Sequence, residues 1–190
     1  HFVARKDYRK TYDVYKDDTL LNRQPKKSRK IFVCLDEQRG QYLVDGLVAM
    51  DFPLSSGVKA YPTKTGDYAV ISKKEDHTSN LYGKMYDAEG KCINYNAEST
   101  DPIPEGGRFD GSPMPYWQRL TNAGLGLHVG KVRRHPVSHG CVRLPRNVAE
   151  ILYRQTSIGT PVTIQKTPLP VPEAQKIPPA QQQESEGRKQ

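Results

Sequence analysis

The stretch GLGLHVGKVRRHPVSHGCVRLP, residues 124–145, decides both the fold and the chemistry that we expect of this chain. It opens with apolar residues that alternate with glycine as far as His128, and this pattern predicts a strand over residues 125–128. A basic segment follows and leads to Cys141. Three of the five histidines of the chain, His128, His135 and His139, lie here upstream of the cysteine. Such clustering predicts a reactive site.

Cys141 is predicted to be the nucleophile of a cysteine acyl-transfer enzyme. A thiol with an ordinary pKa near ~8.5 is only a few per cent ionised at pH 7, so a cysteine nucleophile needs an adjacent base that withdraws its proton. His128, which ends an apolar strand, is the preferred base. His135 is the competing candidate, although its charged and proline neighbours indicate a surface loop.

Two neighbours of Cys141 have predicted supporting roles. Gly140 has no side chain and permits unusual backbone angles, so the N–H groups of Gly140 and Cys141 are expected to converge on an oxyanion. Arg143 points to the same side of an extended segment as Cys141 and is expected to bind a carboxylate through a bidentate contact. Other cationic residues nearby also suit an anionic substrate, namely Lys131, Arg133, Arg134 and Arg146.

Two other interpretations of the same residues stay open. His128, His135, His139 and Cys141 are of the types that hold zinc, although the spacing of His139 and Cys141 is unlike that of the usual ligand pairs. Alternatively, they are satisfied side chains in a β domain that only binds another molecule.

The chain from Lys30 onward predicts a β-rich core. Asp45-Gly46 is the favoured two-residue hairpin turn between two predicted strands. One helix is predicted after Pro145, where apolar residues recur at helical spacing up to Leu152. Residues 94–115 are rich in proline and glycine and predict a long loop or lid. The predicted strands are residues 31–35, 41–44, 47–52, 67–72, 116–120, 125–128 and 162–164.

These patterns predict one folded domain with loose ends. A basic arm is expected over residues 1–29, the catalytic domain over residues 30–166, and a disordered tail rich in proline and glutamine over residues 167–190. Most of the net charge of +8 lies in the arm, which we interpret as a solvated flank, and nucleic-acid binding is not expected. The apolar runs are far shorter than the ~20 residues that cross a bilayer, so no transmembrane span is predicted.

Cys34 and Cys92 remain once Cys141 is assigned to catalysis. Cys34 lies in the apolar run IFVCL, residues 31–35, which favours a buried free thiol over a disulfide with Cys92.

The segment SHGCVRL, residues 138–144, is similar to the signature of the L,D-transpeptidases, bacterial cell-wall enzymes with a YkuD-type catalytic domain. The runs MPYWQRLTNAGLGLH (114–128), YPTKTGDYAV (61–70) and HTSNLYG (77–83) also resemble elements of this family. The resemblance covers about residues 30–166. It implies a mainly β fold, a YkuD-like β-sandwich of mixed sheets with one or two short helices.

The resemblance also implies roles for individual residues. Cys141 would attack the peptide bond after the third residue of a peptidoglycan stem peptide, release D-alanine and carry the acyl group as a thioester. His128 would be the general base, oriented by the carbonyl of Val129. His139 and Gly140 would belong to the catalytic loop around the sulfur. The implied substrate-binding residues are Ser138, Arg143 and Tyr116.

At the level of the cell, the resemblance implies an exported enzyme of the periplasm or cell wall that acts in peptidoglycan biosynthesis and cell shape. Its partners would be stem peptides, and it would act as a monomer without a cofactor or metal. The acyl acceptor stays open among 3-3 crosslinks, D-amino-acid exchange and protein attachment. The alternatives are an L,D-carboxypeptidase or wall-amide hydrolase on the same scaffold, and a non-catalytic cell-wall-binding protein.

Overall fold

A computed structural model of the chain describes residues 10–25 and 28–169. Strands dominate this part of the chain, and two helices accompany them. In chain order the elements are β1 (Tyr15–Lys16), α1 (Asp18–Asn22), β2 (Arg29–Cys34), β3 (Arg39–Val44), β4 (Leu47–Pro53), β5 (Gly66–Ala69), β6 (Ser72–Lys74), β7 (Thr78–Tyr86), β8 (Cys92–Glu98), β9 (Arg108–Pro113), β10 (Trp117–Arg119), β11 (Gly126–Val129), β12 (Val142–Leu144), α2 (Arg146–Gln155) and β13 (Pro161–Gln165).

The strands form three sheets. The largest has the order β1-β4-β3-β2-β13-β5, the second has the order β12-β11-β10-β6, and the third has the order β8-β7-β9. Most neighbouring strands are antiparallel, but β13 pairs with β2 in parallel and β11 pairs with β12 in parallel. The two larger sheets are therefore mixed, and the predicted fold class, mainly β with mixed sheets and short helices, is confirmed.

One contiguous apolar cluster joins the two larger sheets and α2. The second sheet contributes Leu127 from β11 and Val142 and Leu144 from β12, each at most 1% exposed. Because side chains alternate along a strand, burial of these three residues turns His128 and Arg143 away from the core. Other members of the cluster are Ile31, Val33, Tyr42, Met50, Phe52, Leu54, Val148, Leu152, Val162 and Ile164.

Two local predictions agree with the structure. Asp45 and Gly46 connect β3 to β4 with φ angles of 51° and 79°, as a hairpin turn with two left-handed residues requires. The helix α2 begins directly after Pro145 and buries Val148, Ala149 and Leu152 on one face.

The prediction of a loop over residues 94–115 is wrong for most of that range, because the end of β8 and all of β9 fall within it and pair with β7 on either side. Gly106 does lie in a turn between these strands, with a φ of 70°, but Gly111 serves close backbone contact instead. Gly83 on β7 is paired with Gly111 on β9. A Cβ atom on Gly111 would lie 2.0 Å from the carbonyl oxygen of Ser79, so only glycine fits. We call β8-β7-β9 the wall sheet, because it forms one wall of the cleft described below.

The described part of the predicted basic arm is more ordered than a solvated flank. Tyr15 of β1 pairs with Asp51 of β4, and α1 buries Leu20 and Leu21. The predicted tail lies outside the described residues from residue 170 onward. The boundaries at residues 30 and 166 stay predictions. Neither helix of the described part is long and apolar enough to span a membrane.

Cys34, Cys92 and Cys141 are all free thiols, and Cys34 is fully buried. The predicted buried free thiol at Cys34 is therefore confirmed. Its sulfur lies 3.4 Å from the carbonyl oxygen of Lys166, to which it donates.

A buried ion pair fastens the N-terminal segment to the largest sheet. The Arg39 Nε atom lies 2.7 Å from Asp51 Oδ1, and both side chains are at most 1% exposed. The two terminal nitrogens of Arg39 donate to the carbonyl oxygens of Thr11 and Asp13, 2.8 Å away in both cases. Gln41 donates to the second oxygen of Asp51. Each charge is thus compensated by direct hydrogen bonds.

We predict that Asp51→Ala lowers the free energy of unfolding by about 3–5 kcal/mol, because it leaves the Arg39 guanidinium buried without its carboxylate. Asp110→Ala is the matched control, since the Arg108–Asp110 pair is exposed on both sides. Its loss should cost less than about 1 kcal/mol. Urea unfolding measures both values, and equal small losses would show that the buried pair does not support the fold.

Candidate active site

A cleft of about 730 Å³ lies between the wall sheet and the second sheet. His128 and Cys141 both line it, as do Ser138, Gly140 and Arg143. Four cationic side chains also lie along its walls, and no aspartate or glutamate of the described chain is among its lining residues. The cleft is therefore electrostatically suited to an anionic molecule. The cationic residues are Lys64, Arg119, Lys131 and Arg143.

The parallel pairing of β11 with β12 brings the predicted base and nucleophile together. His128 is paired with Arg143, and Leu127 is paired with Val142, the residue after Cys141. The thiol of Cys141 lies 3.3 Å from the carbonyl oxygen of Gly124, to which it donates. The N–H of Gly126 points at the same sulfur. The loop before β11 and its first residue thus surround the sulfur atom.

The ring of His128 is held in one tautomer. Its Nδ1 atom lies 2.7 Å from the carbonyl oxygen of Val129. A carbonyl oxygen only accepts hydrogen bonds, so Nδ1 carries the proton and Nε2 keeps a free lone pair. The neutral imidazole is thereby oriented as a proton acceptor through Nε2. The orienting group is the Val129 carbonyl, as the family resemblance implied.

Burial sets the charge of both groups. Desolvation lowers the pKa of His128 to about 4, against the opposing effect of the Val129 carbonyl. Desolvation also raises the pKa of the Cys141 thiol, although the Gly126 N–H and the Arg143 and Arg119 charges oppose that shift. A resting thiolate stabilised by a charged histidine would not agree with these directions. Near pH 7 the resting pair is a neutral thiol and a neutral imidazole.

The loop that carries the nucleophile is ordered by its own hydrogen bonds. Ser138 is only 2% exposed. Its hydroxyl donates to the carbonyl oxygen of Cys141 and accepts from the N–H of Gly140 at 3.2 Å. Gly140 has a φ of 109°, a left-handed angle that favours glycine. The Gly140 N–H is therefore engaged within the loop in the resting site, and its role as an oxyanion donor stays a prediction.

His139 packs between two tyrosines. Its ring stacks on Tyr82 of the wall sheet with a centroid distance of 4.4 Å and contacts Tyr61 in a tilted arrangement with a centroid distance of 4.9 Å. The hydroxyl of Tyr61 donates to Glu98, the residue paired with Tyr82 in the wall sheet. His139 thus joins the nucleophile loop to the wall sheet, and its predicted catalytic role stays a prediction.

Arg143 is half-buried, and its side chain crosses Gly130. A Cβ atom on Gly130 would lie 2.7 Å from Cγ of Arg143, so the absence of a side chain there makes room for the arginine. Burial lowers the pKa of the Arg143 guanidinium. Lys131 lines the same cleft, whereas the other predicted cationic residues do not, namely Arg133, Arg134 and Arg146.

Tyr116 does not line the cleft, so the structure does not place it where the predicted substrate contact requires. Its ring packs on Tyr153 at a centroid distance of 5.6 Å and under the guanidinium of Arg146. The adjacent Trp117 lines the cleft instead and stacks on His77. The family motif identified this segment, but it did not distinguish the side chain that faces the cleft from its neighbour.

Two alternatives, His135 as the base and a zinc site at these residues, have no geometric support in the described structure. His135 is exposed and does not line the cleft. The described residues contain no group of three or more His, Cys, Asp or Glu side chains arranged to hold a metal ion. The four residues of the alternative zinc site are thus not brought together.

Comparison with known proteins identifies relatives of this chain. The family model YkuD, the L,D-transpeptidase catalytic domain, matches residues 28–164. The chain is 31% identical over 121 residues to the probable L,D-transpeptidase 3 of Mycobacterium tuberculosis, a match that covers 60% of this chain and 38% of that protein.

Solved structures give the same fold. An L,D-transpeptidase from Mycobacterium smegmatis has a TM-score of 0.56 and 22% identity, covering 73% of this chain and 58% of its own. L,D-transpeptidase 3 from Mycobacterium tuberculosis with a faropenem-derived adduct has a TM-score of 0.54 and 24% identity, and the match covers 73% of this chain and 60% of that protein. An Enterococcus faecium L,D-transpeptidase mutant has a TM-score of 0.52 and 27% identity, covering 73% and 50%. This chain thus spans less than two thirds of each relative.

We predict that His128→Ala slows alkylation of Cys141 by iodoacetamide at pH 7 by about 10-fold or more, because a general base typically contributes ~10²–10⁴ in rate. His135→Ala is the matched control and should leave the rate unchanged. Peptide mapping by mass spectrometry gives the rate at each cysteine, with Cys92 as internal reference. If His135→Ala lost reactivity and His128→Ala did not, the base would be His135 and the prediction would be wrong.

We also predict that in His128→Ala the alkylation rate of Cys141 rises continuously from about pH 6 to about pH 9, since without the base only the thiolate is strongly nucleophilic. The raised pKa of Cys141 keeps the thiolate fraction low at neutral pH. The wild-type rate should change less over this range, because His128, with a pKa of about 4, does not change its charge and stays available as the base. A rate that stays constant from pH 6 upward in His128→Ala would show that another group removes the thiol proton.

Proposed function

The chain belongs to the YkuD family of L,D-transpeptidase catalytic domains, and we propose that it is a cysteine acyltransferase that acts on peptidoglycan stem peptides. The family membership agrees with the resemblance first noted in SHGCVRL, residues 138–144. One observation carries the proposal: Cys141 and a neutral, Nδ1-protonated His128 line the same cleft.

In the proposed acylation step, Nε2 of His128 takes the thiol proton while Sγ of Cys141 attacks the carbonyl carbon of the third residue of a stem peptide. The carbonyl electrons move onto its oxygen, and the Cys141 N–H stabilises the oxyanion. The C–N bond then breaks. His128 returns the proton to the departing nitrogen, so D-alanine leaves and the acyl group remains on Cys141 as a thioester.

In the proposed transfer step, an amine of the acceptor gives up a proton through His128 and attacks the thioester. Collapse of the second oxyanion breaks the C–S bond, and the proton held by His128 passes to the sulfur and restores the thiol. A neutral resting pair suits both steps, because the base must be free of its proton at the start of each. The product is a 3-3 crosslink, an exchanged D-amino acid or a protein attached to the wall.

Substrate recognition is proposed to depend on charge. Arg143 and Lys131 lie on cleft walls that hold no acidic side chain of the described chain, which suits the carboxylates of a stem peptide. Ser138 is proposed to position the nucleophile loop, since both observed contacts of its hydroxyl lie within that loop.

For the whole protein we propose a location outside the cytoplasmic membrane, in the periplasm or at the cell wall, where its substrate occurs. We further propose a catalytic domain over residues 30–166 that acts as a monomer. The match spans 38% of the curated relative, so these properties of the whole protein are inferences from the domain alone.

We predict that the wild-type chain exchanges the terminal D-alanine of a tetrapeptide muropeptide for an added D-amino acid and that Cys141→Ala does not. Intact-mass spectrometry of the products, with and without excess D-amino acid, measures the exchange. Cys92→Ala is the matched control. It removes a free thiol at the start of β8 that does not line the cleft, so it should leave exchange unchanged.

The same experiment separates the alternatives. A shortened tripeptide as the sole product, in both the presence and absence of D-amino acid, would identify an L,D-carboxypeptidase. No change in the muropeptide would contradict transfer and favour a wall-amide hydrolase or a non-catalytic wall-binding protein.

A further inference from the structure

We propose that Thr63 is a positioning residue that fixes the Gly140–Cys141 peptide so that its N–H faces the cleft and stabilises the oxyanion. This inference rests on the proposed acyl transfer and adds a residue to it. Thr63 lies outside the nucleophile loop, in the YPTKTGDYAV run, and is 5% exposed. It does not line the cleft, although its neighbours Pro62 and Lys64 do.

The Thr63 hydroxyl has two partners in fixed roles. It accepts from the N–H of Gly57 at 2.8 Å and donates to the carbonyl oxygen of Gly140 at 2.6 Å. A backbone N–H can only donate and a carbonyl can only accept, so the direction of the chain Gly57 to Thr63 to Gly140 is unambiguous. Successive hydrogen bonds of this kind strengthen one another in a buried site.

The orientation of the Cys141 N–H follows from that of the Gly140 carbonyl. Gln24–Pro25 is the one cis bond in the described chain, so the Gly140–Cys141 peptide is trans. In a trans peptide the C=O and N–H bonds point in opposite directions. The carbonyl points to Thr63, which is buried outside the cleft lining, so the N–H of Cys141 points away from it. The structure records no backbone partner for this N–H among residues 10–25 and 28–169.

A fixing group is needed at this position because glycine does not restrict the peptide itself. Gly140 has a φ of 109°, in a region where glycine retains wide freedom of both backbone angles. Rotation of the following peptide would aim a carbonyl at the cleft instead of an N–H. The Thr63 hydrogen bond opposes that rotation. Gly57 packs directly against Gly140, because a Cβ atom on Gly57 would lie only 2.8 Å from Cα of Gly140.

Of the two candidate oxyanion donors, the Cys141 N–H is the one that is not already engaged within the loop. The neighbouring candidate, the N–H of Gly140, already donates to Ser138. Ser138 thus holds the peptide before Gly140 through its N–H, and Thr63 holds the peptide after Gly140 through its carbonyl. Loss of the Thr63 hydroxyl would leave the peptide that carries the remaining donor without its anchor.

The test compares two reactions of Cys141 that differ in their need for an oxyanion donor. Faropenem is attacked at a carbonyl, so an oxyanion forms as the C–S bond is made. Iodoacetamide is attacked at a CH₂ carbon, and iodide leaves without an oxyanion. The variants are Thr63→Val, which removes the hydroxyl at nearly constant volume, and Thr63→Ser, which keeps it. Intact-mass spectrometry follows both reactions.

Thr156→Val controls for loss of a buried hydroxyl in general. Thr156 is also 5% exposed, and its hydroxyl contacts Gln118 and the carbonyl of Leu152 at the end of α2, outside the cleft. Thermal unfolding of all three variants verifies that each is folded at the assay temperature.

We expect Thr63→Val to slow faropenem acylation by about 10-fold to 100-fold, somewhat less than complete loss of an oxyanion donor. Alkylation by iodoacetamide should stay within about 2-fold of wild type, because the thiol and His128 are unchanged. Thr63→Ser and Thr156→Val should resemble wild type in both reactions.

Equal loss of both reactions in Thr63→Val would overturn the inference, since Thr63 would then support the site only as a whole. Wild-type acylation by that variant would overturn it as well. A wild-type chain that faropenem does not acylate at Cys141 would instead refute the proposed function on which the inference rests.

Discussion

The parallel pairing of β11 (Gly126–Val129) with β12 (Val142–Leu144) is the constraint on which the rest of the site depends. It places the segment that directly follows Cys141 beside the segment that carries His128, although Cys141 lies thirteen residues after His128 in sequence. Burial of Leu127 and Val142 in the core fixes which faces of the two strands meet the cleft. A shift of one residue in this register would exchange core and cleft residues on one strand and separate the base from the nucleophile.

Burial also keeps the reacting pair, His128 and Cys141, uncharged at rest. The same desolvation that lowers the pKa of His128 to about 4 raises the pKa of the Cys141 thiol. Polar backbone groups, above all the Val129 carbonyl, supply orientation in place of a charged third residue. Positive charge is instead placed on the walls of the cleft, where it can attract an anionic substrate. The Arg143 and Arg119 charges favour the thiolate, but desolvation outweighs them.

The sequence predicted most strands of the two larger sheets, the Asp45-Gly46 turn and α2, because alternation, turn chemistry and helical spacing are local signals. It missed β1, β6 and β12 of those sheets, which are only two or three residues long and too short for a periodic signal. It failed for the wall sheet, where Gly83 and Gly111 serve close contact between strands but resemble loop residues. The nucleophile and base followed from residue type and motif. Thr63 gave no such signal, since its role depends on a contact with Gly140, 77 residues away in sequence. The choice of Trp117 over Tyr116 likewise needed the observed position of each ring.

The most direct test of this account is an NMR titration of the chain with ¹⁵N-labelled histidine rings. At neutral pH we expect His128 to show a protonated Nδ1 and an unprotonated Nε2, with its charge appearing only as the pH falls towards about 4. The same tautomer should persist in Cys141→Ala, because the Val129 carbonyl and not the thiol selects it. A His128 ring that is an imidazolium at pH 7 and becomes neutral in Cys141→Ala would contradict the account, since it would demonstrate a resting thiolate–imidazolium pair.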